Sequence, residues 1–98
     1  MALSEKQARF LRGKAHPLKP VVHIGQSGLT AAVSAETARA LHDHELIKVK
    51  VYGAERAQRD AWIGELCAST GSELVQRIGH VATLYRARQP QPRLVLPD

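Results

Sequence analysis

The stretch Gly25-Gln26-Ser27-Gly28-Leu29-Thr30 has the strongest chemical content in the chain. Two glycines spaced this way let the backbone take φ > 0 and let another molecule approach with no Cβ in the way. The apolar run Val21-Val22-His23-Ile24 leads into the loop. A helix opening after Thr30 would turn its unpaired N–H groups back toward it, which suits an anion such as phosphate. Cations flank the stretch: Arg9, Arg12, Lys14 and Lys19 before it, Lys48 and Lys50 after it. As a group they read as a set for contacting phosphates. Taken singly, the loop reads as an ordinary tight turn, and each cation is equally a solvated side chain.

Other chemistry finds less support. The Gly-Lys-Ser/Thr ending of a phosphate-binding P-loop is missing, and so is the G-x-G-x-x-G dinucleotide fingerprint. His42 and His44 lie two apart on an expected helix and do not converge on a metal. Cys67 has no activating neighbour in sequence and reads as a packing residue. His16 and His23 flank the loop region, where they serve either structure or contact with a base or phosphate. Trp62 reads as core, and Tyr85 either stacks on a ligand or caps the sheet. Arg77, Arg86 and Arg88 are secondary candidates for phosphate contact. No nucleophile motif or ligand spacing stands out, so no catalytic residue, metal, cofactor or small-molecule substrate is expected.

The elements that must hold the loop follow from pattern. Ser4-Glu5-Lys6-Gln7 has the capping-box form and opens a helix with Ala8, Leu11 and Ala15 on one face. Gly13 and His16-Pro17 close it, and Pro17-Leu18-Lys19-Pro20 is a stiff connector. Val21–Ile24 is a strand without clean alternation, as expected for one covered on both faces. A second helix runs from Ala31 to His44, capped by Thr30, with Leu29, Val33, Ala40 and Leu41 inward. Leu46–Tyr52 is a strand with Ile47, Val49 and Val51 on one face and Lys48 and Lys50 on the other. A third helix spans Glu55–Thr70, with Ala61, Trp62, Ile63 and Leu66 inward and Gly71 as its left-handed terminator. Glu73–Ile78 and Val81–Arg86 pair across Gly79-His80 as a hairpin. The order α-β-α-β-α-β-β predicts an α/β fold with a four-stranded mixed sheet, mostly parallel with one antiparallel hairpin strand. From Ala87 onward, prolines and scattered polar residues predict an extended, weakly held tail.

Composition bounds the partner. Ninety-eight residues with 44% hydrophobic content make one domain with one modest core. The formal net charge is +5 and is segregated: residues 1–30 carry +4 and residues 74–98 carry +3, while residues 31–45 and 53–73 each carry −2. That favours a polyanion as partner. A single cysteine excludes an intramolecular disulfide and fits a reducing, cytoplasmic setting. No apolar run near the N-terminus is long enough for a signal peptide or a membrane span, so no membrane association is expected.

These residues together resemble the YhbY family, the stand-alone bacterial form of the CRM RNA-binding domain. The likeness rests on Leu3-Ser4, Lys6-Gln7, the run Ala15-His16-Pro17-Leu18-Lys19-Pro20-Val21-Val22, the glycine loop through Thr30, and His44-Glu45-Leu46-Ile47-Lys48-Val49-Lys50. Thr70-Gly71, Ile78-Gly79 and Leu84-Tyr85-Arg86 also fit. It covers residues 1–86 and leaves 87–98 as the tail. The resemblance implies a fold similar to the C-terminal domain of bacterial translation initiation factor three. It also implies binding of ribosomal RNA and of large-subunit precursors during ribosome assembly. One departure stands out: Gln26-Ser27 is uncharged, where some relatives carry a basic residue, so neighbours such as Lys19 must supply the charge. The expectation is a non-catalytic, monomeric RNA-binding protein in which backbone and shape recognition outweigh base stacking. The alternatives are an adaptor that docks proteins on the ribosome through the acidic helices, and a non-specific nucleic-acid binder.

Overall fold

The structure, a computed structural model, describes residues 3–53 and 55–98. Seven elements follow one another: α1 (Glu5–Ala15), β1 (Val22–Ile24), α2 (Ala31–His44), β2 (Leu46–Val51), α3 (Arg56–Thr70), β3 (Glu73–Ile78) and β4 (Val81–Tyr85). Their starts and stops follow the local chemistry. Ser4 Oγ accepts the Gln7 N–H at 3.1 Å and Gln7 Oε1 accepts the Ser4 N–H at 3.0 Å, completing the capping box of α1. Thr30 Oγ1 accepts the Val33 N–H and opens α2. Gly71, at φ +67°, ends α3 in the left-handed region. No described helix is long and apolar enough to cross a membrane.

The strands form one mixed sheet in the order β1-β2-β4-β3. β1 and β2 are parallel, whereas β2–β4 and β4–β3 are antiparallel. The expectation of a mostly parallel sheet is therefore corrected, since β4 inserts between β2 and β3. Burial gives the reason. Ala82, Thr83, Leu84 and Tyr85 are all buried, which suits a central strand, whereas β3 exposes Leu74 and Ile78 and suits an edge. β1 is likewise an edge strand covered on one face only, because His23 is exposed between buried Val22 and Ile24. That overturns the expectation of cover on both faces.

The two faces of the sheet are used differently. Val22, Ile24, Ile47, Val49, Val51, Ala82 and Leu84 pack with Leu41 of α2 and with Ile63 and Leu66 of α3 to make the main core. Thr37 is buried on α2, its Oγ1 donating to the Val33 carbonyl at 2.8 Å, whereas Ala61 of α3 is exposed, contrary to expectation. Leu11 and Ala15 of α1 cover Leu46, Val75 and Tyr85 on the opposite face in a second, smaller cluster. The rest of that second face carries Lys48, Lys50 and His23 beside Gln76, Val81 and Thr83.

The tail is extended but not weakly held. Leu94 and Leu96 pack against the second cluster. Gln7 Nε2 donates to the Pro97 carbonyl at 3.1 Å. The tightest hold is Glu45, fully buried between α2 and β2. Its Oε2 accepts the Arg88 N–H at 2.9 Å, and its Oε1 accepts the Arg93 and Leu94 N–H groups at 2.7 and 2.9 Å. A chain with prolines at 90, 92 and 97 pairs poorly as a strand, and here it wraps an anion instead. Glu45→Gln leaves one acceptor oxygen and turns an NH2 group on a donor. It is expected to cost about 2 kcal/mol, seen as a lower urea midpoint together with faster amide exchange at Arg93 and Leu94. An unchanged midpoint would mean that the leucines and the Gln7 contact suffice to hold the tail.

Candidate nucleic-acid interface

The glycine loop is built around two glycines with different jobs. The Gly28 N–H donates to the Gly25 carbonyl at 3.0 Å and closes a turn. Gly28 is buried at φ +71°, and a Cβ there would stand 2.8 Å from Trp62 Cζ2, so only glycine fits. Gly25 has no such demand: a Cβ would meet nothing within 4 Å. Gly25, Gln26 and Ser27 face solvent, while Leu29 and Thr30 are half-buried and lead into α2. The first turn of α2 holds no acidic residue, so nothing in it opposes an anion at the helix N-terminus.

The structure gathers four of the six flanking cations along the second face. Lys14 and Lys19 line a groove of about 450 Å³ with Leu18, Val21, His44 and Leu94. Lys19 and Lys48 line a neighbouring groove over Gln76, Ile78, Val81 and Thr83. Lys48 Nζ donates to the Leu18 carbonyl at 3.0 Å, which ties the connector to the sheet. Lys50 lies opposite His23 in register, and its Nζ sits 5.1 Å from the Tyr52 ring centroid. The Tyr52 N–H bonds the Ile24 carbonyl, so this group stands at the foot of the loop. Arg9 and Arg12 belong to neither groove. Arg9 is exposed on α1, and Arg12 pairs with Glu5 at 3.0 Å.

Two of the three secondary arginines have their side chains engaged elsewhere. Arg86 donates to the Thr70 and Ala38 carbonyls at 2.8 and 3.0 Å, stitching α3 to α2. Arg77 pairs with Asp60 and donates to the Gly79 carbonyl. Arg88 is half-buried, and its backbone serves Glu45. Tyr85 is buried in the second cluster and so caps the sheet rather than offering a stacking surface. Tyr52 is the residue that sequence reasoning overlooked as a site candidate. Its ring stacks on His23 with centroids 5.8 Å apart. The signal was its parity with Lys48 and Lys50 on β2.

Burial pushes the Cys67 thiol up, with Ser72 opposing and Glu73 adding to the rise. Burial also pushes the Tyr85 phenol up, and the charge of Glu45 adds to it. A raised, packed thiol is a poor nucleophile.

The CRS1/YhbY (CRM) domain family matches residues 3–86. A Pseudomonas aeruginosa protein named "Probable RNA-binding protein" is 50% identical over 92 residues, spanning 94% of this chain and 88% of the relative. A Haemophilus influenzae protein named "RNA-binding protein" is 47% identical over 95 residues, spanning 97% of this chain and 95% of the relative. The solution structure of a Staphylococcus aureus protein described as a candidate RNA binder aligns with a TM-score of 0.83 at 33% identity, covering 98% of this chain and all of that one.

Two outcomes follow from this geometry. Gly28→Ala is expected to cost about 2 kcal/mol or more, from the φ penalty and the Trp62 clash, whereas Gly25→Ala leaves the urea midpoint within error. Equal midpoints for the two variants would contradict the division of labour in the loop. In the folded chain, Cys67 and Tyr85 keep their protons at pH values where the unfolded chain releases them. The contribution of these two groups to stability is therefore constant below about pH 8.5 and falls as the pH rises through the thiol and phenol range. Cys67→Ala should remove the first part of that fall in a pH series of thermal melts.

Proposed function

The chain belongs to the CRS1/YhbY (CRM) domain family, and from that footing we propose a non-catalytic RNA-binding protein. Its target is ribosomal RNA in precursors of the large ribosomal subunit. Residues 1–86 are the binding domain and the tail braces it. The protein works as a monomer in the cytoplasm, without cofactor, metal, small-molecule substrate or membrane. The observation that carries the RNA reading is the lysine row. Lys19, Lys48 and Lys50 follow the uncovered part of the second face up to an exposed glycine loop at the head of α2. The loop offers backbone N–H groups and no charge, so neutralising phosphate falls to the row beside it. Lys14 extends the row toward α1, and Arg9 and Arg12 add long-range attraction. The ribosomal target comes from the family resemblance, and the names of the relatives agree with its RNA-binding part.

The test is sedimentation of cell extracts through a ribosome gradient at low and high salt, with crosslinked RNA identified. Co-migration with immature large subunits that is lost at high salt, with crosslinks near Gly25–Thr30, is the expected result. Migration with free protein only, and no RNA crosslink, would sink the ribosomal role. With purified protein, Lys19→Glu and Lys48→Glu should weaken binding to many RNAs alike. Each should also flatten the plot of log affinity against log salt by about 1. Unchanged affinity and slope in both variants would remove these lysines from the binding surface.

A further inference from the structure

We propose that His23 and Tyr52 form a stacking platform for an unpaired RNA base next to the backbone held at the glycine loop. This rests on the reading of the partner as RNA. The two rings lie nearly parallel, 24° apart, with centroids separated by 5.8 Å. His23 Nδ1 and Tyr52 Oη are 3.1 Å apart and share a hydrogen bond. That bond fixes two ring planes that would otherwise rotate freely, so little ordering is left for binding to impose. Both residues are exposed, Tyr52 by 44%. An aromatic pair exposed in this way contributes little to a core. Every nucleobase has an apolar face that can cover such a ring.

The surroundings select a nucleotide over other flat ligands. Gly25 follows directly from the strand that carries His23, and the Tyr52 N–H bonds the Ile24 carbonyl. A base on the platform therefore has its own backbone within reach of the loop. Lys50 is the register partner of His23, and its Nζ rests over the Tyr52 ring. An exposed cation–ring contact is weaker than a base stack, so Lys50 gives up the ring to the base and turns its charge on the phosphate. Lys48, two residues back along β2, continues the same electrostatic track. Duplex RNA presents no open base face, so the platform selects for a bulge, a loop or a single-stranded flank. The platform adds a base stack at this one position to recognition that rests otherwise on backbone and shape.

The experiment compares two fluorescein-labelled, blunt-ended RNA duplexes with the same paired sequence, one fully paired and one with a single bulged 2-aminopurine. Anisotropy reads affinity and 2-aminopurine emission reads stacking. The wild-type chain should bind the bulged RNA about tenfold more tightly than the paired one and quench its emission. Tyr52→Ala should lose both the preference and the quenching while binding the paired RNA as before. Tyr52→Phe should retain most of both, because the ring remains. Lys19→Glu should weaken both RNAs equally. Equal binding of the two RNAs by the wild-type chain, or a preference that survives Tyr52→Ala, would overturn the platform and leave RNA binding standing. Failure of the wild-type chain to bind either RNA would overturn both. Urea midpoints for each variant separate a strand-end clip from a ligand contact. A clip would lower the midpoint of Tyr52→Ala without touching the ratio of the two affinities, and that result would also overturn the platform.

Discussion

A carboxylate with no exposed surface sits where α2 turns into β2, and much of the molecule is arranged to keep it satisfied. Burying an ionised carboxylate alone would cost several kcal/mol, so each oxygen needs donors. Glu45 obtains them from three backbone N–H groups of the tail. Its own backbone is equally committed: its N–H bonds the Leu41 carbonyl and its carbonyl accepts the Arg86 N–H. It holds φ +63°, which turns the chain sharply out of the helix and into the strand. The dependence then spreads outward. The tail held by Glu45 lays Leu94 and Leu96 on the cluster under α1, and α1 leads into the connector. That connector carries Lys19 and the Leu18 carbonyl to which Lys48 donates. A charge far from the loop thus helps to place the cations beside it.

The second constraint is unequal cover of the sheet. Helices α2 and α3 close one face, while α1 and the tail close only the end of the other that holds Leu46, Val75 and Tyr85. Alternation along β2 then does the sorting. Ile47, Val49 and Val51 enter the core, and Lys48 and Lys50 emerge on the uncovered area. Strand periodicity is therefore what converts a sequence of alternating valines and lysines into a directional positive surface. Cross-strand register carries the pattern to β1, where His23 faces the same way as Lys50.

Much of this could be read from residue order, and the rest failed for identifiable reasons. The start of α2 is legible because Thr30 is a local capping signal, and the helix ends near His44 as expected. Strand neighbours are not local. The hairpin at Gly79-His80 was visible, but which of its strands would sit beside β2 depended on comparing their burial. The near-continuous run Val81–Tyr85 held that information. β1 departs from expectation because three residues are too few to show a period, although polar His23 between Val22 and Ile24 marks an open side. The hold on the tail was illegible because Glu45 meets its donors 43 to 49 residues downstream. Of the proposed contact residues, Lys48 and Lys50 are legible by strand parity. Tyr52 was overlooked because it follows the last β2 residue and read as the end of a strand.

The close approach of Trp62 to Gly28 has a further consequence. Trp62 is the sole tryptophan in the chain, so its indole emission comes from one place. Its ring lies against the buried end of the glycine loop, with Cζ2 2.8 Å from where a Gly28 Cβ would stand. A shift of that turn would change the polarity around the indole and with it the colour and intensity of its emission. The chain thus carries its own optical probe at the loop, with no label needed, and the loop's response to any ligand can be followed in real time by stopped flow.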